Sequence, residues 1–557
     1  MSDQQIRAQS WDDLRPQLGE RVAIDPPLRE GAPWIVSLAG VPHARVGSEF
    51  ARMALFFDGS RSLHEAVEIA GVGVDDAQAR EAVEALASAG LLHTHQRRRF
   101  GTGRFTYRRP LSFQWVLFDP TPAARALSRP FQTRVGRSVV LALFVVVLLL
   151  AVLSAAQYGE LLVSMLSGPI PLDLVLYLGL AIVVVGGLHE FGHAVALAAF
   201  GGRPTRMGVM LFYFTPAFFC DVTDGWRIHE RSRRAAVALA GPAIHVLAGA
   251  VSLCILSLVS DNQLRQFFAV FALACVVSVG TNLIPLIKLD GYLALVAVTD
   301  TPNLRTRAMT AAEGALARLL FGVENSAEKK PRSAIFALYG ALCWLFPVFL
   351  FVWAAYRLQP ILLNSGPWTA ACYLLLVLGF IAGLLRKATL FVLSSLRRRL
   401  RWARTGIGFA VSVAIGAAVL LVPVSSAAHC GFVVVEGRVY LVATTLSLLE
   451  DVDAGNAVQL RSNGVVATPI LAVGEAGTSG WEARELNAPL EAVAPISDRD
   501  LTVPVLGIPL VVSNGLENLP RAGAAEVDLG DSISLGSRLV HDVVEEPLAT
   551  IFGGDHQ

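Results

Sequence analysis

Leu188-His189-Glu190-Phe191-Gly192-His193-Ala194 is the stretch of this 557-residue chain whose residue types and spacing carry the most chemistry. On a helix, a four-residue spacing puts His189 and His193 on one face about one turn apart, so both imidazoles reach a single zinc ion. Glu190 stands beside them as a general base for water activated at the metal. An HExxH pattern arises by chance in roughly one chain per hundred of this length, so its setting matters. Here it lies inside an apolar run, where a carboxylate costs about 2.5 to 3.5 kcal/mol on insertion scales. Glu190 is therefore expected to be functional; the alternative is a solvated patch at a helix end.

The elements that must position this motif are membrane helices. Apolar residues make up 54% of the chain and charged residues 16%, with a mean hydropathy of +0.54, the composition of a mainly α polytopic membrane protein. Apolar runs long enough to span occur near residues 138 to 156, 171 to 200, 235 to 259, 267 to 298, 334 to 355, 369 to 385 and 405 to 424, about seven transmembrane helices. If each spans once, the Arg-rich loops all fall on one side, which predicts a cytoplasmic N-terminus. The net charge of +1 hides an asymmetry: residues 425 to 557 carry six Arg, no Lys and eighteen Asp plus Glu, near −12, leaving the remainder near +13. The acidic tail is then an extracytoplasmic domain, and its Val-rich runs and turns (Phe432 to Val435, Glu436-Gly437, Val439 to Val442, Leu501 to Val512) read as mainly β. The six cysteines form no readable disulfide framework or CxxC zinc site, and His429-Cys430 is too short to read as one.

The helix rise of 1.5 Å per residue puts His189 roughly 27 Å along the second run and Asp290 roughly 35 Å along the fourth, at matching depth if the fourth tilts or breaks at Pro285. Two histidines and one carboxylate with an open position form the ligand set of a hydrolytic zinc. An ordinary turn Asp before Gly is the alternative for Asp290. His245 reads as a helix-packing histidine bonded to a carbonyl, a second-shell donor or an extra ligand. Asp221 and Asp224 are candidates for a second metal or a solvated turn, and Cys220 for a thiolate ligand. Val209 to Phe219 is too short to span; it reads as a re-entrant hairpin or strand pair whose edge could hold an extended peptide.

Residues 1 to 96 are expected to precede the membrane domain as a small α+β winged-helix-like unit. No apolar core of a signal peptide opens the chain. Trp34 to Leu38 and His43 to Val46 read as strands around Gly40-Val41-Pro42. Three helices are expected next: one capped by Ser48 and ending near Asp58-Gly59, one with a Ser62–Glu65 capping box, and one opened by Asp75-Asp76, buried through Ala79, Val83 and Leu86 and ended by Gly90. Asp75, Asp76, Glu81 and Glu84 on the third helix argue against nucleic acid. Residues 97 to 137, with Arg97 to Phe100, Arg108-Arg109, Phe113, Trp115 and Phe118, read as a basic juxtamembrane linker on the lipid bilayer surface.

Two resemblances follow. The first domain resembles the PqqD-like domains that recognise leader peptides. The pairing of HExxH with Asn282-x-x-Pro285-x-x-x-Leu289-Asp290-Gly291, and Ala240-Gly241-Pro242 between them, resembles the site-2 protease family of membrane zinc metallopeptidases over residues 138 to 300. Ile287, Tyr292 and His245 depart from the usual pattern; Lys288 to Tyr292 and Cys220 to Arg227 look closer to a bacterial branch with a PqqD-like N-terminus. The resemblance implies zinc on His189, His193 and Asp290, Glu190 as general base, and Asn282 in the second shell or on the substrate backbone. It also implies a bacterial inner-membrane endopeptidase, with residues 138 to 424 as the peptidase domain and a precursor peptide as substrate. In that branch the tail can resemble the lipoyl-like adaptor of export systems, making an export-system partner a further expectation, although no clear signature is present. The competing functions are a regulatory intramembrane protease of a signalling protein and a non-hydrolytic export or immunity component.

Overall fold

The computed structural model describes residues 14–19, 22–27, 33–38, 41–88, 91–92, 105–108, 112–212, 215–321, 334–364, 366–396, 402–444, 449, 452–464, 468–477, 483–498, 500–514 and 519–552. Gly40, Gly90, Arg97 to Phe100, Arg109, Tyr213, Phe214, Arg332 and the end from Gly553 lie outside the described residues. The chain is mostly helical and divides into two compact units. One comprises residues 1–154, 180–258 and 271–302; the other comprises 155–179, 259–270 and 303–557.

The first unit begins with a three-stranded antiparallel sheet, β1 (Val22–Asp25), β2 (Trp34–Leu38) and β3 (Val41–Val46). Helices α1 (Ser48–Ala54), α2 (Leu63–Ala70) and α3 (Asp76–Ser88) cover it, with Val36, Met53, Leu63, Ala79, Val83 and Leu86 in one core. The expected capping box is present. Ser62 Oγ accepts from Glu65 N–H at 3.2 Å, and Ser62 N–H donates to Glu65 Oε2 at 2.8 Å. Ser48 does not cap α1; Gly47 is the N-cap and Ser48 already lies in the helix. Ser62→Ala is expected to cost about 1 kcal/mol, seen as about fivefold faster amide exchange over Leu63–Ala70. Unchanged exchange would assign that end of α2 to packing alone.

The basic aromatic stretch expected as a linker forms secondary structure instead. β4 (Phe105–Arg108) and β5 (Ser112–Phe118) pair, and β5 then pairs with β7 (Met207–Phe212), which pairs with β8 (Thr215–Cys220). The sheet order β4-β5-β7-β8 leaves β8 on an edge. After α4 (Thr121–Gln132) come α5 (Arg134–Gln157), α7 (Leu172–Ala199), α8 (Arg231–Leu256), α9 (Asn262–Leu283) and α10 (Asp290–Thr299); α6 (Gly159–Ser167), between α5 and α7 in the chain order, belongs to the second unit. Leu141, Leu149 and Leu153 of α5 are between 60% and 66% exposed, which suits lipid contact rather than water. The fourth apolar run breaks where Pro285 requires it, α9 ending at Leu283 and α10 starting at Asp290.

The second unit holds α11 (Leu304–Phe321), α12 (Ala334–Asn364), α13 (Pro367–Leu396) and α14 (Trp402–Leu420). Among the described residues six helices, α5, α7, α8, α9, α12 and α13, are long and apolar enough to cross a membrane. The seventh apolar run is helical as far as Leu420, the end of α14, and a strand starts at Pro423. That strand, β9 (Pro423–Val435), opens a β-barrel with β10 (Arg438–Ala443), β11 (Ala457–Arg461), β12 (Ile470–Ala476), β15 (Thr502–Asn514) and β16 (Ala522–Ser534). The order β10-β9-β16-β11-β12-β15 closes through a β10–β15 pairing around Phe432, Leu441, Leu460 and Ile508. β13 (Arg484–Pro489) adds to β15, while β14 (Ile496–Ser497) pairs with β6 (Ile170–Pro171). The β9–β10 hairpin turns at Glu436 and Gly437, with φ of 50° and 76°, as a two-residue loop matching strand twist demands. Two short helices, α15 (Leu535–Val540) and α16 (Glu546–Phe552), follow the barrel in this mainly β tail.

Candidate metal centre

Two helices of the first unit converge on one point. α7 carries His189 and His193 on the same face, and both are buried. α10 presents Asp290 in its first turn. The two Nε2 atoms stand 3.3 Å apart; Asp290 Oδ2 lies 3.0 Å from His189 Nε2 and Oδ1 3.3 Å from His193 Nε2. Four-coordinate zinc with bonds of about 2.0 Å needs ligand atoms about 3.3 Å apart, so these separations fit one shared ion.

The proton positions point the same way. His193 Nδ1 lies 2.7 Å from the Val237 carbonyl, which only accepts, so Nδ1 carries the proton and Nε2 turns a lone pair inward. With His189 as the donor in its 3.0 Å contact to His245 Nδ1, His189 Nε2 is likewise free. A carboxylate and two imidazole lone pairs facing one another repel unless a cation sits among them. Asp290 Oδ2 is buried and, despite the 3.0 Å separation, meets no donor in hydrogen-bond geometry. The donor set therefore fits a metal.

His245 accordingly supports His189 rather than bonding only within its own helix. His245→Ala is expected to lower zinc affinity by about 10- to 100-fold, measured by competition with a chromogenic chelator. Affinity within twofold of the wild type would reduce His245 to packing.

Backbone shape makes the room. A Cβ on Gly241 would lie 2.4 Å from His193 Nε2 and 2.5 Å from His189 Nε2, so only glycine leaves the donor tips open. Next to Asp290, a Cβ on Gly291 would come within 2.2 Å of the Leu283 carbonyl oxygen. That close approach folds the start of α10 back on the end of α9 and brings the carboxylate to the histidines. Buried Arg234 of α8 holds the far end of α10, 2.6 Å from Asp300 and bonded to the Ile228 and His229 carbonyls.

Glu190 lies beside the donors on α7, its Oε2 accepting the Cys220 N–H of β8 at 2.9 Å. Phe218 of β8 packs toward Gly186 and Gly187, about one turn before His189. A cavity of about 370 Å³ opens here, lined by Glu190, the three donors, Met210, Phe218, Trp226 and Asn282. Asn282 donates to the Ser278 carbonyl at 2.9 Å and faces the same space.

A scan against protein-family models, a search of curated proteins and a search of solved structures each found no match.

Other sequence candidates take ordinary roles. Asp221 pairs with Arg206 at 2.7 Å, and Asp224 with Arg227 at 3.0 Å. Burial, with the Glu190 and Asp221 carboxylates nearby, pushes the Cys220 thiol up to about 12. His429 lies 3.3 Å from the Tyr356 hydroxyl. Sequence reading missed the parts played by Gly241, Val237, Trp226 and the Cys220 N–H. The signal for Gly241 was there: glycine and proline side by side within an apolar helix are there for a packing reason.

Proposed function

We propose that this chain is a membrane-embedded zinc endopeptidase that cleaves a precursor peptide near the cytoplasmic face. One observation carries the reading: His189, His193 and Asp290 turn their donor atoms to a common point at about zinc-ligand separation, with a carboxylate, Glu190, in the same cavity. Bound by these three residues, zinc would supply Lewis-acid activation of water and of a carbonyl oxygen. Glu190 takes a proton from water in the cavity and returns it to the leaving amine. The Cys220 N–H fixes the direction in which Glu190 points. An extended peptide adds to the edge of β8, where backbone groups of an edge strand supply the hydrogen bonds that straighten a chain for attack. Asn282, on the cavity wall, holds that peptide's backbone.

The N-terminal sheet is the place for leader recognition, since its order β1-β2-β3 offers two edges to a further strand. In this reading the N-terminal domain is cytoplasmic and the acidic barrel lies outside a bacterial inner membrane, an orientation that the Arg-rich loops support, with α14 and the residues to Val422 as the seventh crossing. The test is direct. The full chain, purified in lipid nanodiscs, is expected to hold one zinc and to cleave internal bonds of a synthetic peptide library, chelator stopping and zinc restoring turnover. Chain free of zinc after dialysis against buffered metal would sink the proposal.

A further inference from the structure

A second cavity, about 510 Å³, lies in the same unit between the N-terminal sheet and the segment from Arg203 to Arg227. One wall is a sheet face: Ala23 and Asp25 of β1 stand opposite Ser37 and Ile35 of β2 in register, so all four project the same way. The other wall includes Thr205 and Trp226. Trp226 also lines the cavity at the metal centre, so one residue borders both spaces.

The walls are tied together. Arg227 Nε donates to the Pro26 carbonyl at 2.9 Å, and Asp224 accepts from both Arg227 and the Arg203 N–H, at 3.0 and 2.7 Å. Asp221 is bound to Arg206. Arg206 and Arg227 neutralise Asp221 and Asp224, leaving an ordered polar wall facing a strand surface with the small residues Ala23 and Ser37, where Ser37 Oγ donates to Asp25 at 2.8 Å. That suits a ligand that is thin, flat and lined with alternating donors and acceptors, which describes extended peptide backbone. Within the segment forming this wall, the Cys220 N–H orients Glu190 and Arg227 bonds to the N-terminal domain.

We infer that the second cavity is a peptide subsite, gripping the substrate some residues away from the scissile bond, with Trp226 as the partition between grip and cut. The inference deepens the peptidase reading and depends on it for turnover, but not for binding. A peptide long enough to occupy both spaces binds better than one that fills the first alone. Thr205 and Ala23 are both exposed, so Thr205→Trp and Ala23→Trp fill the cavity from opposite walls without replacing core residues.

The test uses zinc-loaded full chain in nanodiscs and fluorescein-labelled degenerate peptides about 8 and about 24 residues long, an extended chain covering roughly 3.3 Å per residue. Each substitution is expected to raise apparent KM for the long pool at least about tenfold with kcat kept, while the short pool stays within about twofold. Equal effects on both lengths, or none on either, would overturn the subsite. If the unsubstituted chain cleaves neither pool, the peptidase reading fails and anisotropy decides the subsite. Tighter binding of long peptides that Thr205→Trp abolishes upholds it, and length-independent binding removes it.

Discussion

Glu190→Gln is expected to keep one zinc per chain and to lower peptide hydrolysis by about a thousandfold. The amide has the size of the carboxylate and still accepts the Cys220 N–H that now lies 2.9 Å from Oε2, so the position of β8 is kept. It cannot take up a proton near neutral pH, and proton transfer is the one task assigned to this side chain. Because Glu190 is not needed among the three donors, zinc measured by plasma emission should not change. Turnover within tenfold of the wild type would remove Glu190 from the chemistry. Loss of zinc would make it a ligand, the alternative that its place in a His189–Glu190–His193 cluster permits.

Gly241→Ala is expected to lower zinc affinity at least about a hundredfold, with cleavage falling in parallel. Inside a helix, Ala is normally better than Gly by roughly 1 kcal/mol, so propensity alone predicts a more stable protein. At this position the added methyl would lie 2.4 and 2.5 Å from the two Nε2 atoms, closer than any Cβ is tolerated, and the imidazoles must turn away. The local gain in helix propensity and the loss of the donor geometry are thus separable. Helix content by circular dichroism should hold while zinc is lost. Gly280→Ala is the control, because a Cβ there meets nothing within 4 Å. Full zinc binding by Gly241→Ala would mean that the donor tips do not need this space.

Much of the metal centre could be read in advance because its main constraint is local. His189 and His193 share a face by helix spacing alone, and their polarity within an apolar run marks them out. Asp290 could be matched to them in depth because membrane helices count residues against a known thickness. The Ser62–Glu65 box was legible for the same reason: its partners are three residues apart. β1 was missed, since four residues, Val22 to Asp25, are too few for a periodic signal. β4 and β5 were read as a lipid-facing linker because basic and aromatic residues suit a headgroup layer equally well. What makes β5 a strand of the larger sheet is β7, about ninety residues further along the chain.

By itself, then, the sequence determined which residues could bind a metal, that long apolar helices carry them, and that a β-rich acidic tail follows. Each of these depends on residue type and short-range spacing. Tertiary structure decided what lies against them: Gly241 under the histidine tips, His245 and the Val237 carbonyl behind the rings, the Cys220 N–H on Glu190, and Trp226 bordering two cavities. Those contacts join elements dozens of residues apart, and close packing, not composition, selects which atoms meet.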